Sequence, residues 1–204
     1  KKDIRPRDIM NRDAFENAIR VDMAMGGSTN TVLHIPAIAK ESGVDLDAGL
    51  FDSISKETPN LCKIIPAGGY EMADVHNAGG VPAVLNRLQD MLKDGITVNE
   101  DEKSILKIAK EAKVTDDDVI RPLDDPYSKE GGIAVLKGNI ARSSVIKQTA
   151  VDEDMKKHEG PAIVFYEEED LLDAIEEGKI KEGDVVVLPY QGPCGAPGMP
   201  EMLT

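Results

Sequence analysis

Two hydrophobic patterns follow one another along the sequence, and together they constrain its fold more than any other feature. Up to residue 113, apolar side chains recur at helical spacing between glycines and polar caps, which is typical of short amphipathic helices. This pattern predicts helices over residues 12–25, 30–40, 50–55, 81–92 and 102–113. After residue 130, short apolar runs predict strands over 133–136, 144–146, 163–166 and 185–188, with one helix over 168–176. We therefore expect an α/β chain whose first part is mostly helical.

The change of pattern coincides with a stretch that is typical of a connection between domains. Residues 121–126 contain two prolines and two aspartates, which disfavour regular structure. We therefore predict one domain over residues 1–120 and a second over residues 121–204. The prolines and glycines of residues 58–76 predict an irregular segment within the first domain.

Charge and hydropathy exclude several classes of partner. The net charge of −14 argues against nucleic acid and anionic membrane surfaces. No apolar run approaches the roughly 20 residues that span a bilayer. Residues 1–6 contain no apolar signal core, and the two cysteines, Cys62 and Cys194, do not make a disulfide framework. The sequence therefore predicts a cytoplasmic protein that binds neither nucleic acid nor membranes.

A shaped loop follows the last predicted strand. Residues 190–203 include three glycines and three prolines before Glu201, which restrict the backbone and prevent regular structure. A single carboxylate presented by such a loop suits a hard cation such as Mg²⁺, and it equally suits the start of a following helix. Because a domain seldom ends on a loop of this kind, we expect the chain to be part of a longer protein.

A Gly-Gly-Ser-Thr-Asn run at residues 26–30 separates the first two predicted helices. Backbone N–H groups at the start of the second helix, together with its dipole, predict a site for an anion such as a carboxylate. A plain turn with Ser28 or Thr29 as the helix cap explains the same residues. The run lacks the lysine and the spacing of a P-loop, which argues against nucleotide binding.

Three further residues have both a structural and a chemical interpretation. Cys62, next to Lys63, is either a small buried hydrophobic residue or a reactive thiolate and metal ligand. Asp74 and His76 are either an acid/base or metal-binding pair, or else Asp74 caps a helix. His34 lies in an apolar helical segment and is predicted to be packed in the core.

Several of these segments, in the same order, resemble the dihydroxy-acid dehydratase family. The resemblance is carried by Gly-Gly-Ser-Thr-Asn at 26–30, Pro-Asn-Leu-Cys-Lys at 59–63, Asp-Val-His-Asn-Ala-Gly-Gly at 74–80 and Pro-Glu-Met-Leu at 200–203, with further matches at 14–18, 136–141, 160–162 and 183–187. The wider family also contains 6-phosphogluconate and sugar-acid dehydratases. Residues 31–34, Thr-Val-Leu-His, resemble the branched-chain pathway members more closely than the phosphogluconate ones.

The resemblance implies a hydro-lyase that removes water from a 2,3-dihydroxy acid to give an enol and then a 2-oxo acid. It implies dehydration of 2,3-dihydroxy-3-methylbutanoate to 3-methyl-2-oxobutanoate in valine, leucine and isoleucine biosynthesis. The resemblance also implies that the full-length enzyme is a homodimer. The implied fold is the end of a helix-rich α/β N-terminal domain followed by part of a β-barrel-like swivelling C-terminal domain, similar to that of aconitase.

The family also implies cofactors and the residues that bind them. An iron–sulfur cluster, either 2Fe–2S or 4Fe–4S, is held by three cysteines and leaves one iron open as a Lewis acid for the departing hydroxyl group. Cys62 matches the third of these cysteines, and Glu201 matches the glutamate that binds Mg²⁺. Ser28, Thr29 and Asn30 match a segment near the substrate.

Other functional groups of the family have no counterpart in this sequence. The first two cluster cysteines, the magnesium-binding aspartates, the modified lysine and the serine base are absent, so no catalytic residue is assigned. Cys194 stands where the family has basic or polar residues, and it is not predicted to be a ligand. The chain by itself is therefore predicted to be inactive. Two alternatives stay open: a sugar-acid or 6-phosphogluconate dehydratase, and a non-catalytic binding module.

Overall fold

A computed structural model of the chain describes residues 3–97 and 103–190. Packing divides the chain into two compact units, the first ending at Asp152 and the second beginning at Glu153. The predicted domain boundary near residue 121 falls inside the first unit. Because that boundary refers to domains of a longer protein and the units refer to packing within this chain, it stays a prediction.

Helices dominate the first unit. They are α1 Pro6–Ile9, α2 Arg12–Ala24, α3 Thr31–Glu41, α4 Ala48–Glu57, α5 Met72–Asn77, α6 Gly80–Arg87 and α7 Ile105–Glu111. The five helices predicted from the sequence are confirmed, although the fourth ends at Arg87 and continues as a 3₁₀ turn over Gln89–Met91. The short helices α1 and α5 were not predicted, and α5 extends into the segment that was expected to be irregular.

Polar side chains fix where several helices begin. The side chain of Asn11 accepts a hydrogen bond from the Ala14 N–H, and that of Asp47 accepts one from the Leu50 N–H. Such caps satisfy backbone donors that have no partner within the first helical turn. In α5 the bond runs the other way along the chain: the carboxylate of Asp74, the third helical residue, accepts from the N–H of the N-cap residue Glu71 at 2.7 Å.

Helix α2 contributes to two hydrophobic cores. The first surrounds α5, α6 and α7 and includes Ala24, Leu61 and Cys62. The second lies among α2, α3, α4 and β1 and includes Met23 and Ile133. Because residues 23 and 24 enter different cores, the end of α2 is held from two sides.

A short antiparallel sheet completes the first unit. It pairs β1 Ile133–Leu136 with β2 Ser144–Lys147, and Ile133 lies opposite Lys147. The proline-containing segment after residue 120 is not a free connection, because the Arg121 N–H donates to the Leu61 carbonyl at 2.9 Å and Asn60 forms a bridge with Ser128.

The second unit contains one parallel strand pair. β3 Ala162–Val164 pairs with β4 Val185–Val187, and α8 Glu168–Glu176 connects the two strands. A helical crossover is the usual way to join parallel neighbours. The predicted strands and helix of this region are confirmed. Residues 3–97 and 103–190 form two-stranded sheets and no barrel.

Within residues 3–97 and 103–190, every helix is too short or too polar to cross a membrane.

Candidate functional site

The predicted site residues fall into two groups. Residues 28–30 connect α2 to α3, and Cys62 lies in an extended segment beside the end of α2. The Cys62 segment bonds to Ala24 at the end of α2, four residues before Ser28. Glu201, the predicted magnesium ligand, and Cys194 lie outside the described residues.

A tight reversal of the backbone begins the loop of residues 26–30, called here the Gly-Ser-Thr loop. Gly26 has φ +102° and Gly27 has φ +67°, a region that residues with a Cβ rarely adopt. A Cβ on Gly27 would also lie 2.7 Å from Cγ1 of Ile133. Both the dihedral angles and the contact with β1 therefore require glycine here.

A second glycine pair, which the sequence did not single out, packs against this reversal. The Gly132 N–H donates to the Met23 carbonyl at 3.1 Å. A Cβ on Gly132 would lie 1.8 Å from the carbonyl oxygen of Gly26. The backbones of residues 26 and 132 thus approach more closely than any side chain would allow.

Cys62 is joined to the end of α2 through one carbonyl group. The Ala24 carbonyl accepts hydrogen bonds from the Leu61 N–H at 2.7 Å and from the Cys62 N–H at 3.2 Å. The side-chain amide of Asn60 donates to the same oxygen at 3.3 Å. The segment that carries the cysteine is therefore fixed two residues before the Gly-Ser-Thr loop begins.

The Cys62 thiol is buried, with 1% of the residue exposed. Burial raises its pKa to about 12, so the thiol is protonated at neutral pH. Metal ligation requires the thiolate, and the described residues contain no group of three His, Cys, Asp or Glu side chains that could hold a metal ion. Taken alone, they do not form an iron–sulfur site.

Asp22 is the main charged residue of this region that the sequence did not predict. Its carboxylate accepts a hydrogen bond from Thr31 Oγ1 at 2.7 Å and another from the backbone of Ser28. Burial raises the pKa of Asp22, and the contacts from Thr31, Ser28 and Lys147 act in the opposite direction. The sequence contained one indication that Asp22 is unusual. It lies in the last turn of a predicted helix, where the helix dipole disfavours a negative charge.

The Gly-Ser-Thr loop differs from the expected helix cap. α3 begins at Thr31, and its N-cap residue Asn30 makes no side-chain cap hydrogen bond, so Ser28 and Thr29 do not cap the helix. The Thr31 N–H donates to the Ser28 carbonyl at 3.0 Å. The Ser28 backbone bonds to Asp22, so the carboxylate bound by this loop is a side chain of the protein and not a ligand.

The two histidine predictions have different outcomes. His34 is exposed rather than packed, because α3 buries only Ala39 and the face that carries His34 points to solvent. Asp74 bonds to the backbone at the start of α5, which supports the cap interpretation over an acid/base pair with His76.

A groove of about 490 Å³ lies elsewhere in the first unit. It is lined mainly by apolar residues of α2 and α6 and by residues 94–97. Of the predicted site residues that the structure describes, Ser28, Thr29, Asn30 and Cys62, none lines it.

Comparison with known proteins places these residues in a family context. Residues 1–104 match the family model of the dihydroxy-acid/6-phosphogluconate dehydratase N-terminal domain, and residues 118–204 match that of the C-terminal domain. The chain is 52% identical over 205 residues to a dihydroxy-acid dehydratase of Thermodesulfovibrio yellowstonii. It is 53% identical over 205 residues to that of Endomicrobium trichonymphae and 50% identical over 208 residues to that of Caldicellulosiruptor saccharolyticus. All of this chain is covered in each case, and it spans 37% of the length of each relative.

Proposed function

The chain belongs to the dihydroxy-acid/6-phosphogluconate dehydratase family, and we propose that it forms the central part of a hydro-lyase acting on a 2,3-dihydroxy acid. One observation carries the proposal: the two family models match in order, and the relatives with about half of their residues identical are named dihydroxy-acid dehydratase. Because the chain spans 37% of their length, the complete site is proposed for a longer polypeptide.

The proposed substrate is 2,3-dihydroxy-3-methylbutanoate, a precursor in branched-chain amino-acid biosynthesis. In the reaction a base removes the proton on C2 and the C3–O bond breaks, so the hydroxyl group leaves as water. The resulting enol then takes up a proton at C3 and becomes 3-methyl-2-oxobutanoate. Within the chain we assign Ser28, Thr29 and Asn30 to substrate binding, and we assign no group to the proton transfer.

Two cofactors are proposed for the longer protein. Cys62 is one of three thiolate ligands of an iron–sulfur cluster, and Glu201 is one of the ligands of Mg²⁺. Support for Cys62 comes from its position, since its backbone bonds to Ala24 at the end of α2, two residues before the Gly-Ser-Thr loop. The other two thiolates must come from outside the described residues. Cluster binding must also expose or displace what now covers the Cys62 thiol.

The remaining features of the family are proposed on the same basis. We propose that one domain of the longer protein ends near residue 121 and that a β-barrel-like swivelling domain begins after it. The parallel β3–β4 pair would be part of that barrel. We further propose that the longer enzyme is a homodimer and that the chain alone is inactive.

The proposal is tested by an anaerobic assay of the full-length protein that carries this chain, with Mg²⁺ present. Formation of 2-oxo acid would be followed from 2,3-dihydroxy-3-methylbutanoate, 6-phosphogluconate and a pentonate side by side. Preference for the branched substrate supports the proposed function. Preference for one of the sugar acids retains the reaction class and replaces the substrate, whereas no product from any of the three contradicts dehydration and favours a non-catalytic binding module.

A further inference from the structure

Asp22 receives three hydrogen bonds from the segment that follows it. Its backbone carbonyl accepts from the Gly27 N–H at 2.8 Å. Its carboxylate accepts from the Ser28 backbone and from Thr31 Oγ1 at 2.7 Å. One residue of α2 therefore binds the beginning of the Gly-Ser-Thr loop and the first residue of α3.

The position of this carboxylate is unfavourable for the helix that carries it. Asp22 lies in the last turn of α2, where the negative end of the helix dipole repels an anion. It is also half-buried, and burial disfavours its charged form. Lys147, at the end of β2, is the cation that opposes this effect. The contacts with the loop, and not the stability of α2, account for an aspartate at this position.

We propose that Asp22 is a positioning residue that fixes the Gly-Ser-Thr loop in the conformation in which it contacts the dihydroxy acid. Because the Ser28 backbone is bonded to Asp22, the other groups of residues 28–30 are the ones that contact the substrate. Fixing them before substrate arrives avoids the entropy loss of ordering a loop on binding. This inference rests on the proposed function, since it requires that the loop meets the substrate.

Two substitutions break the same contact from opposite sides. Asp22→Asn keeps the shape of the side chain but turns one acceptor into a donor that faces the loop. Thr31→Val keeps the β-branched shape and removes the hydroxyl group, which lies within hydrogen-bond distance of both Asp22 and the Ser28 carbonyl. Thr31→Ser keeps the hydroxyl group and is the conservative rescue. Asp90→Asn, at an exposed position in the turn after α6, is the matched control for a change of charge.

The test measures kcat, KM and the thermal midpoint of these variants in the full-length protein, with 2,3-dihydroxy-3-methylbutanoate as substrate. For Asp22→Asn and Thr31→Val we expect KM to rise about tenfold with kcat changed less than about threefold, since binding and not chemistry is affected. Thr31→Ser and Asp90→Asn should stay within about twofold of the unmodified protein. Should Asp22→Asn fail to fold, Thr31→Val still tests the contact with the carboxylate intact.

Three results would contradict the account, and they are distinguishable. An unchanged KM in both Asp22→Asn and Thr31→Val overturns the positioning role. A loss of activity that follows the thermal midpoint, and that Thr31→Ser does not rescue, assigns Asp22 to folding alone and also overturns it. An unmodified full-length protein that dehydrates no 2,3-dihydroxy acid overturns the proposed function itself, before any variant is compared.

Discussion

At the scale of single residues, glycines decide how closely the site segments approach. Gly26 and Gly27 turn the chain after α2, and Gly132 brings the segment before β1 against that turn. The Cys62 segment reaches the same place through the Ala24 carbonyl. The geometry around Cys62, the predicted cluster ligand, therefore depends on residues whose side chains are not reactive.

Replacing Gly132 with alanine should destabilise the chain by about 2 kcal/mol or more, because the new Cβ would collide with the backbone and not with a flexible side chain. Urea unfolding monitored by circular dichroism measures the change. Gly69→Ala is the matched control, since a Cβ there meets nothing within 4 Å and the change should stay within about 0.5 kcal/mol. Equal stability of the two variants would contradict the close approach of residues 26 and 132.

The stability of the chain should fall in acid in part through Glu16. Its pKa is lowered mainly by the hydrogen bond from Lys93, with Arg12 contributing less. A group with a lowered pKa stabilises the fold above its ordinary value of 4.5, and this contribution is lost as the pH falls through the folded-state pKa. Because Lys93 is half exposed, we expect the contribution to be below about 1 kcal/mol.

Unfolding measurements between pH 7 and pH 3 test this expectation. Glu16→Gln should reduce the dependence of the free energy of unfolding on pH in the acid range. Glu41→Gln, at an exposed position at the end of α3, is the matched control for the loss of a carboxylate. Parallel curves for the unmodified chain and Glu16→Gln would show that the ion pair with Lys93 does not form in solution.

Residue roles were predictable from the sequence only where they depend on local spacing or on a family pattern. The glycines of residues 26–27 were singled out in this way, and the ligand role of Cys62 stays a prediction from the family pattern. Asp22 was not, because its role depends on a hydroxyl group nine residues later that a turn brings back. Gly132 was missed for the same physical reason, since its constraint is the backbone of residue 26, which is distant in sequence.

At the scale of secondary-structure elements, α2 organises the first unit. One side of it enters the core with α5, α6 and α7, and the other enters the core with α3, α4 and β1. Its buried residue Asn17 also binds the chain after α6. The side-chain amide donates to the Lys93 carbonyl at 2.7 Å and accepts from the Lys93 N–H at 3.0 Å. Movement of α2 would therefore disturb both cores and the Gly-Ser-Thr loop together.

Asn17→Ala should lower the free energy of unfolding by about 1–3 kcal/mol, because it leaves two backbone groups of residue 93 without their partner. Asn139→Ala, at an exposed position, should change it by less than about 0.5 kcal/mol. Urea unfolding of both variants under the same conditions provides the comparison. A change below about 0.5 kcal/mol in Asn17→Ala would show that water satisfies these groups as well as the side chain does.

The amphipathic pattern was sufficient to predict five helices of the first unit and α8 of the second. It failed for α5, which has six residues and too few apolar positions to show a period. Strand positions were also predictable, but the pairing of β1 with β2 and of β3 with β4 was not. Pairing depends on contacts between segments that local propensity does not describe.

At the scale of the whole molecule, the chain supplies one part of the proposed site. The backbone of Cys62 bonds to the end of α2 just ahead of the loop of residues 26–30, whereas the described residues provide no set of metal ligands. Its relatives are nearly three times as long. The proposed enzyme therefore requires groups from the rest of a longer polypeptide.

The purified 204-residue chain should accordingly form no detectable 2-oxo acid from 2,3-dihydroxy-3-methylbutanoate, even after anaerobic incubation with iron, sulfide and Mg²⁺. The full-length protein treated in the same way is the positive control. Substrate turnover by the chain alone would contradict the assignment of the remaining ligands and the base to other parts of the polypeptide.

The most direct test of the account is the iron and sulfide content of the full-length protein in which Cys62 or Cys194 is replaced by serine. We predict that Cys62→Ser loses most of its iron and sulfide while circular dichroism shows that it remains folded. Cys194→Ser should keep the content of the unmodified protein. Retention of the cluster in Cys62→Ser, or an equal loss from both variants, would contradict the assignment of Cys62 as a cluster ligand.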